Sequence, residues 1–308
     1  MNRRTFTQVL ATAALTTIAP KLPAAPLGSP SSPDSTQASP KTVPFPLSVM
    51  LWTVFTDLPF EQRLAKVAEA GYSNVELVGE YHNWSEADFA RANAARKSLG
   101  IKLDATAGLA NGVSNPATAD AFLAELHQAL TPMETLACPA MIVLSGDVVP
   151  GLSREAQHHA SIETLKRAAA LVEGRHIDGQ PVRLLLECIH PEERPKYFLT
   201  SAAEAIDVVR AVSHPQVQFL YDIFHEQVTE GNLIKKLEKN IDLVGLIHIA
   251  DVPGRHEPGT GEINYVNIYR KLVELKYRYN VAMEFRPTGD PVASLRAAKA
   301  YLLSAVTG

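Results

Sequence analysis

The chain has 308 residues, of which 46% are hydrophobic and 20% are charged, and its formal net charge is -4 at pH 7. This length and apolar content are enough for one large core or two smaller ones. The slightly acidic balance, without a basic cluster interleaved with aromatic residues, argues against a nucleic-acid partner.

The first 25 residues are typical of an export signal. Arg3 and Arg4 precede a mildly apolar run from Val9 to Ala19, which is shorter than the about 20 residues that cross a bilayer. We therefore expect no stable membrane anchor. The RRTF stretch resembles a twin-arginine signal and predicts a periplasmic or exported protein. An ordinary secretory signal and a cytoplasmic location are the alternatives.

Residues 26–43 are rich in Pro, Ser and Thr and contain few large apolar residues. Such a segment cannot bury enough surface to order itself, so it is predicted to be a disordered linker. The folded domain is expected to span residues 44–308.

From residue 44 onward, short apolar runs alternate with longer helical patterns. The runs are almost continuously apolar, as in strands that are buried on both faces of a parallel sheet. The predicted strands are residues 47–52, 74–78, 101–107, 140–145, 182–187, 217–222, 243–249 and 281–285. Ser85 and Asp88 form a helix start signal, and Gly71 and Gly100 follow helix ends.

Eight strands, each followed by a helix, predict a (β/α)8 TIM barrel. The alternative is a doubly wound open sheet, which usually carries a glycine-rich phosphate loop after an early strand. The sequence has no such loop. Cys138 and Cys188 lie in or beside apolar runs and are expected to be buried thiols, with a single disulfide as the alternative.

Four late strands each end in a residue that can bind a metal ion: Glu187, Asp222, His248 and Glu284. The carboxyl ends of barrel strands meet at one mouth, and a carboxylate in an apolar strand is costly unless it is paired or metal-bound. Three carboxylates and one imidazole suit Mg²⁺, Mn²⁺ or Co²⁺, with Zn²⁺ as an alternative. For each residue taken alone, a salt bridge or a core hydrogen bond is the competing interpretation.

Five nearby residues are candidates for binding substrate. His190 and His225 follow two of the strand ends closely and are expected to orient a metal ligand or to contact the substrate. Arg255, His256 and Arg286 are candidates for binding a carboxylate or hydroxyl groups.

Several stretches resemble the hydroxypyruvate isomerase branch of the xylose isomerase-like barrel superfamily. They are PKYFLTSAAEAIDVV, YDIFHEQVTEGNL, ADVPGRHEPGTGEINY and MEFRP, together with LSVMLWTVFTDLPFEQRLAKVAEAGYSNVEL near residue 44. The resemblance implies a TIM barrel in which Glu187 and Glu284 are the catalytic acid/base pair. It also implies that both bind the metal ion, together with Asp222 and the residue at 248. Two departures stand out: His248 replaces a common Gln, as in related ketose 3-epimerases, and DATAGLANG replaces a stretch like NLPAGD.

Together these features predict a metal-dependent isomerase or epimerase of a small hydroxycarbonyl or sugar substrate, acting through an enediolate. The alternatives are an exported keto-glycoside lyase or 3-epimerase on the same site, or a sugar-binding barrel without catalysis. A nuclease or phosphatase would need more His and Asp at the early strand ends, where Asp104 is the one candidate. A homo-oligomer is a further expectation.

Overall fold

The computed structural model describes residues 44–307. The predicted signal (1–25) and linker (26–43) lie outside the described residues. The barrel strands, numbered in chain order, are β1 Leu47–Met50, β2 Asn74–Val78, β3 Lys102–Ala107, β4 Ala140–Leu144, β5 Arg183–Glu187, β6 Val217–Asp222, β7 Val244–Ile249 and β8 Val281–Met283.

Each barrel strand pairs in parallel with its neighbours along the chain, and β8 pairs with β1 to close the sheet. Val49 of β1, for example, lies opposite Met283 of β8 on one side and Val75 of β2 on the other. The predicted (β/α)8 barrel is confirmed. The alternative of an open sheet is wrong, because closure leaves no edge strand in the barrel.

The α-helices of the described residues follow the strands in the expected alternation. They are α1 Phe60–Glu69, α2 Glu86–Leu99, α3 Ala119–Leu136, α4 Arg154–Val172, α5 Ala202–Val212, α6 Ile223–Thr229, α7 Leu233–Asn240, α8 Tyr265–Glu274 and α9 Pro291–Thr307. The predicted capping box of Ser85 and Asp88 begins α2, and Gly100 ends it in the left-handed conformation. None of these helices is long and apolar enough to cross a membrane.

Two predicted strands end two residues earlier than expected. β1 stops at Met50 because Leu51–Thr53 forms a 3-10 turn, and β8 stops at Met283, one residue before Glu284. Both chain segments therefore leave the barrel wall at its carboxyl end, where Trp52 and Glu284 are free to turn toward the mouth.

A short antiparallel hairpin before β5 was not predicted. It pairs His176–Ile177 with Gln180–Pro181. Asp178 and Gly179 between them both have positive φ angles, as the tight turn of a two-residue hairpin requires. The Asp-Gly pair was a readable signal for this turn.

The alternation of side chains along the strands builds the barrel interior in layers. Residues two positions apart on a strand face the same side. Leu185, Leu220, Leu246 and Ala282 pack in an apolar cluster with Met50, Ala105, Ala140 and Ile142. The residues two positions further along β5 to β8 are the four predicted metal ligands, so they form the next layer toward the mouth.

A larger apolar core joins the outer faces of the strands to the helices. Cys138 and Cys188 are both free and buried. They are therefore core thiols as expected, and the alternative of a disulfide is wrong.

Candidate active site

Four side chains converge at the carboxyl ends of β5 to β8. One ligand-type atom from each of Glu187, Asp222, His248 and Glu284 lies within 4.8 Å of the corresponding atoms of the other three, and all four residues are buried. The strands that carry them are neighbours in the barrel wall. The structure therefore brings together the side chains that the sequence singled out as metal ligands.

Asp222 uses its two carboxylate oxygens differently. Oδ1 accepts hydrogen bonds from the backbone amides of Phe224 at 2.8 Å and His225 at 3.3 Å, and so caps α6. Oδ2 lies 3.2 Å from Nη2 of Arg255 and 3.3 Å from Nε2 of His225. The helix cap thereby holds the second oxygen at the site.

His248 lies between two carboxylates. Its Nδ1 is 2.6 Å from Oε2 of Glu284, and its Nε2 is 2.8 Å from Oε2 of Glu76. Burial opposes a charge on the imidazole, but Glu284 and Glu76 outweigh it and raise the pKa of His248 well above its usual value. His248 therefore helps to balance the negative charge of the cluster.

The guanidinium of Arg255 contacts three carboxylates. Nη2 lies 2.6 Å from Glu284 and 3.2 Å from Asp222, and Nη1 lies 2.9 Å from Glu193. Burial opposes the charge on Glu284, yet Arg255 and His248 together hold the pKa of Glu284 well below its usual value. Glu284 is therefore ionised at neutral pH.

The pKa of Glu187 is shifted in the opposite direction. Burial raises its pKa to about 8, and repulsion from Glu284 acts in the same direction. Without a bound cation, the Glu187 carboxyl holds a proton near neutral pH while Glu284 holds a negative charge. Two neighbouring carboxyls whose pKa values are pushed apart are typical of an acid/base pair.

His190 and His225 form a contact pair at the side of the cluster. Their Nδ1 atoms are 2.6 Å apart, and Nε2 of His225 lies 3.3 Å from Asp222 and 3.9 Å from Glu187. Burial lowers the pKa of His225 to about 3, so the ring is neutral. Nε2 of His225 faces Asp222, and the Nδ1 atoms of the two rings share one hydrogen bond. His190 thus orients His225.

A cavity of about 190 Å³ lies in front of the cluster. It is smaller than the roughly 300–1,000 Å³ of sites for drug-sized ligands, so it suits a molecule of a few carbon atoms. Its wall is apolar mostly on the side of β1 to β4 and polar on the side of β5 to β8. The lining residues are Met50, Trp52, Val78, Ala107, Ile142, Leu144, Glu187, Ile189, Glu193, Arg194, His225, His248, Arg255 and Glu284.

Larger cavities lie elsewhere but offer no comparable chemistry. One of about 530 Å³ runs along α3, and one of about 500 Å³ lies at the amino ends of the strands. The second is lined in part by Asp104, whose Oδ1 accepts a hydrogen bond from the Ser48 hydroxyl at 2.8 Å. The one early-strand candidate for a nuclease-type site is therefore at the opposite end of the barrel from the cluster.

The loop after β7 is held in shape by Asp251. Its buried carboxylate accepts hydrogen bonds of 2.8 to 3.0 Å from the backbone amides of Val252, Gly259, Gly261 and Ile263. A Cβ atom at Gly261 would lie 2.0 Å from the carbonyl oxygen of Val252, so the turn requires glycine there. The loop places Arg255, with a positive φ of 59°, at the cluster.

Three predicted substrate-binding residues, His190, His256 and Arg286, are not part of the cavity wall. Arg286 is exposed, with its guanidinium 5.5 Å from the centre of the Trp52 ring. Nδ1 of His256 lies 2.8 Å from the backbone oxygen of Arg286, so it ties the loop to the segment after β8. Of the five candidates, His225 and Arg255 line the cavity, and His190 supports His225.

Two acidic residues of the site were not singled out from the sequence. Glu76 lies in the middle of the apolar run NVELV, and a carboxylate inside a buried strand was a readable signal because it is costly without a partner. Glu193 follows β5 in the charged stretch PEERPK, where no pattern distinguishes it from its neighbours.

The four clustered side chains fit a divalent cation. An ion with ligand distances of about 2.1 Å needs donor atoms no more than about 4.2 Å apart, so the observed spread of up to 4.8 Å requires only a small adjustment. Nδ1 of His248 and Oε2 of Glu284 are buried and lie 2.6 Å apart, so two donor atoms that would share an ion already face each other.

A second group of potential ligands, His190, Glu193 and His225, lies beside the first. It has three members with one carboxylate, and Glu193 is exposed, whereas the first group has four buried members with three carboxylates. The first group is therefore the better fit to a cation.

Residues 64–304 match the family described as xylose isomerase-like TIM barrel. The 2-oxo-tetronate isomerase of Haemophilus influenzae is 31% identical over 251 residues, which are 80% of this chain and 95% of the relative. The hydroxypyruvate isomerase of Escherichia coli is 28% identical over 253 residues, which are 81% of this chain and 96% of the relative. These names confirm the expected enzyme class, an isomerase similar to hydroxypyruvate isomerase.

Solved structures show the same architecture. A family 2 AP endonuclease of Brucella melitensis superposes with a TM-score of 0.75 at 27% identity, covering 83% of this chain and 99% of the other. D-psicose 3-epimerase from Clostridium cellulolyticum superposes with a TM-score of 0.73 at 18% identity, covering 85% and 99%, and this likeness shows the fold alone. The family match over residues 64–304 and the closed barrel together show that this chain belongs to the xylose isomerase-like TIM barrel family.

Proposed function

We propose that this chain is a metal-dependent isomerase or epimerase that moves a proton at the carbon beside a carbonyl group of a small polyhydroxy substrate. The observation that carries the proposal is the pair of buried carboxyls, Glu187 and Glu284, which line one small cavity from two different strand ends. The isomerase names of the relatives support the same reaction class.

The reaction needs a base and an acid but no external oxidant. In isomerisation, a base removes the proton from the carbon beside the carbonyl, and an acid returns a proton to the former carbonyl carbon while the hydroxyl proton moves between the oxygens. In epimerisation, the proton returns to the opposite face of the same carbon. Glu187 and Glu284 are suited to remove and return this proton, because both carboxyls line the one cavity.

The two glutamates approach the cavity from different positions on the wall. Glu187 ends β5, whereas Glu284 follows β8, with β6 and β7 between them. The Trp52 indole donates a hydrogen bond to Oε1 of Glu284 at 2.6 Å and so restrains that carboxylate. A substrate carbon between the two carboxyls can therefore lose and regain a proton without a large movement of either side chain.

The remaining polar groups bind and stabilise the substrate in this proposal. A divalent ion held by Glu187, Asp222, His248 and Glu284 would stabilise negative charge on the substrate oxygens. Arg255, anchored by Glu193, and the imidazole of His225, oriented by His190, line the same cavity. They are placed to donate hydrogen bonds to carbonyl or hydroxyl oxygens.

A substrate panel tests this proposal. The purified protein is incubated with hydroxypyruvate, free ketoses and 3-keto-glycosides, and the products are identified by NMR. We expect an isomer or epimer from at least one substrate, activity that is lost with EDTA, and recovery with Mn²⁺, Mg²⁺ or Co²⁺. Release of a leaving group without an isomeric product would indicate a lyase, and sugar binding without turnover would indicate a binding protein; either result contradicts the proposal.

We also propose that the chain is exported, on the basis of the RRTF stretch and the apolar run that follows it. Replacing both Arg3 and Arg4 with Lys keeps the charge but removes the twin-arginine pair. We expect the variant to remain in the cytoplasm while the unchanged chain reaches the periplasm, as measured by cell fractionation. Equal distribution of the two would contradict twin-arginine export, and cytoplasmic retention of both would support the alternative location.

A further inference from the structure

The carboxylate of Glu76 is fully buried inside the barrel, with an exposed fraction of 0%. Its backbone pairs with Met50 of β1 and Ala105 of β3, both of which belong to the apolar interior cluster. Burial raises the pKa of this carboxyl, and His248 opposes that effect. Burying a carboxyl in an apolar interior costs free energy unless the group is paired. The residue that pairs with Glu76 therefore indicates what Glu76 does.

That partner is His248, on the far side of the barrel interior. Oε2 of Glu76 lies 2.8 Å from Nε2 of His248, and Oε1 has no hydrogen-bond partner. Because β2 and β7 are separated by β1 and β8 in the sheet, the contact crosses the barrel rather than joining adjacent strands. Glu76 therefore contacts the imidazole from the side facing away from the cavity.

The two ring nitrogens of His248 consequently face different groups. Nε2 faces Glu76, whereas Nδ1 lies 2.6 Å from Oε2 of Glu284 and makes no well-aligned hydrogen bond. A ring nitrogen can bind a metal ion only through its lone pair, and a hydrogen bond from the other nitrogen to a carboxylate fixes which nitrogen carries that lone pair. The geometry makes Nδ1 the ligand atom.

We propose that Glu76 is a positioning residue for the metal site: it accepts the Nε2 proton of His248 and thereby directs Nδ1 at the ion. The inference rests on the proposed metal-dependent function, since it concerns the same four ligands. It adds a fifth residue that never touches the ion or the substrate. When an ion binds, Nδ1 gives up any proton it holds, and the Nε2–Glu76 hydrogen bond stays in place.

The test is a double-mutant cycle on Co²⁺ binding, measured on chelator-treated full-length protein by calorimetry and by the visible Co²⁺ absorption. The variants are Glu76→Met, which keeps the chain length without an acceptor, His248→Ala, and the two combined. We expect Glu76→Met to weaken Co²⁺ binding about 10- to 100-fold and to change the absorption spectrum. In the His248→Ala background, the same substitution should cost no further affinity.

Two more variants separate positioning from a general effect of a buried charge. Glu76→Gln retains an oxygen that can accept the Nε2 proton, so we expect a smaller loss than with Met. Asp104→Asn is the matched control, because Asp104 is another acidic side chain at the barrel interior whose hydrogen bonds go to Ser48 and Asn280 instead of His248. It should leave Co²⁺ affinity unchanged.

Unchanged Co²⁺ binding in Glu76→Met would overturn the inference, as would an equal loss in the His248→Ala background or in Asp104→Asn. Wild-type protein that binds Co²⁺ no better than His248→Ala would overturn it too. The readout is independent of turnover, so a protein that binds Co²⁺ as described but converts no substrate would contradict the proposed function alone.

Discussion

Arg255 offers the sharpest test of how the acidic cluster is held together. Its side chain is buried and contacts Glu284, Asp222 and Glu193. Replacing it with Met keeps much of the apolar length of the side chain but removes the charge. Buried Asp222 then loses its charged partner, and Glu284 keeps only His248.

The loss of this buried ion-pair partner sets the expected decrease in the free energy of unfolding. Removing one partner of a buried ion pair destabilises a protein by about 3–5 kcal/mol, because the other charge stays buried and unpaired. For a domain of this size, about 1 kcal/mol lowers Tm by about 2–4 °C. We therefore expect Arg255→Met to lower Tm by about 10 °C in EDTA. The pKa of Glu284 should rise in the variant, because Arg255 is one of the groups that hold it down.

Arg286→Met is the matched control. Both guanidinium groups lie over the Trp52 ring, at 5.2 Å for Arg255 and 5.5 Å for Arg286, but Arg286 is exposed. Surface substitutions of this kind change stability by about 0.5 kcal/mol or less. The two variants thus share the loss of a cation–aromatic contact and differ in the loss of buried carboxylate partners.

The assay is thermal unfolding followed by circular dichroism, with EDTA or with excess Mn²⁺. A divalent ion that binds the folded cluster stabilises it by about 2.7 kcal/mol at a concentration one hundred times its Kd. Mn²⁺ should therefore recover part of the Tm lost in Arg255→Met. A Tm within 2 °C of Arg286→Met in EDTA, by the order of magnitude above, would refute the reasoning that Arg255 balances the cluster.

Further predictions concern the loop after β7 and the pH dependence of stability. Asp251→Ala leaves four backbone amides without their acceptor and should speed hydrogen exchange at Gly259 and Gly261 at least tenfold; unchanged exchange would show that the loop keeps its shape without Asp251. The pKa of Glu187 is raised to about 8 in the folded chain, so the folded state binds this proton more tightly than the unfolded state does. Stability in EDTA should therefore fall as the pH rises from 5 through about 8, and Glu187→Gln should flatten this part of the urea-unfolding profile; an equally steep profile in the variant would assign the effect to another group.

The fold could be predicted from the sequence because the patterns that indicate it are local and repeated. Each strand is a short apolar run, and each is followed by a helical pattern. The number and order of these elements favoured a barrel, and the structure shows its closure. The four clustered side chains could be predicted for the same reason. Each of these four residues ends, or directly follows, an apolar run. Because side chains alternate between the two faces of a strand, the four lie in one layer of the barrel interior.

The rest of the site depends on contacts that no local pattern contains. Glu76 reaches His248 across the interior, from β2 to β7, and only the closed barrel brings these strands face to face. Glu193 reaches Arg255 between two loops. Arg286 was a reasonable candidate by sequence, yet the chain turns after β8 and leaves it exposed.

The central claim, that Glu187 and Glu284 exchange a proton with the substrate, is tested most directly by solvent deuterium incorporation. The substrate found in the panel is incubated in D₂O, and deuterium at the carbon beside the carbonyl is followed by NMR for wild type, Glu187→Gln and Glu284→Gln. Glu192→Gln is the control, since Glu192 is exposed in the loop after β5. We predict metal-dependent incorporation by wild type and by the control, and a loss of about 100-fold or more in both active-site variants. Incorporation at the wild-type rate in either variant, with the fold intact, would contradict the claim.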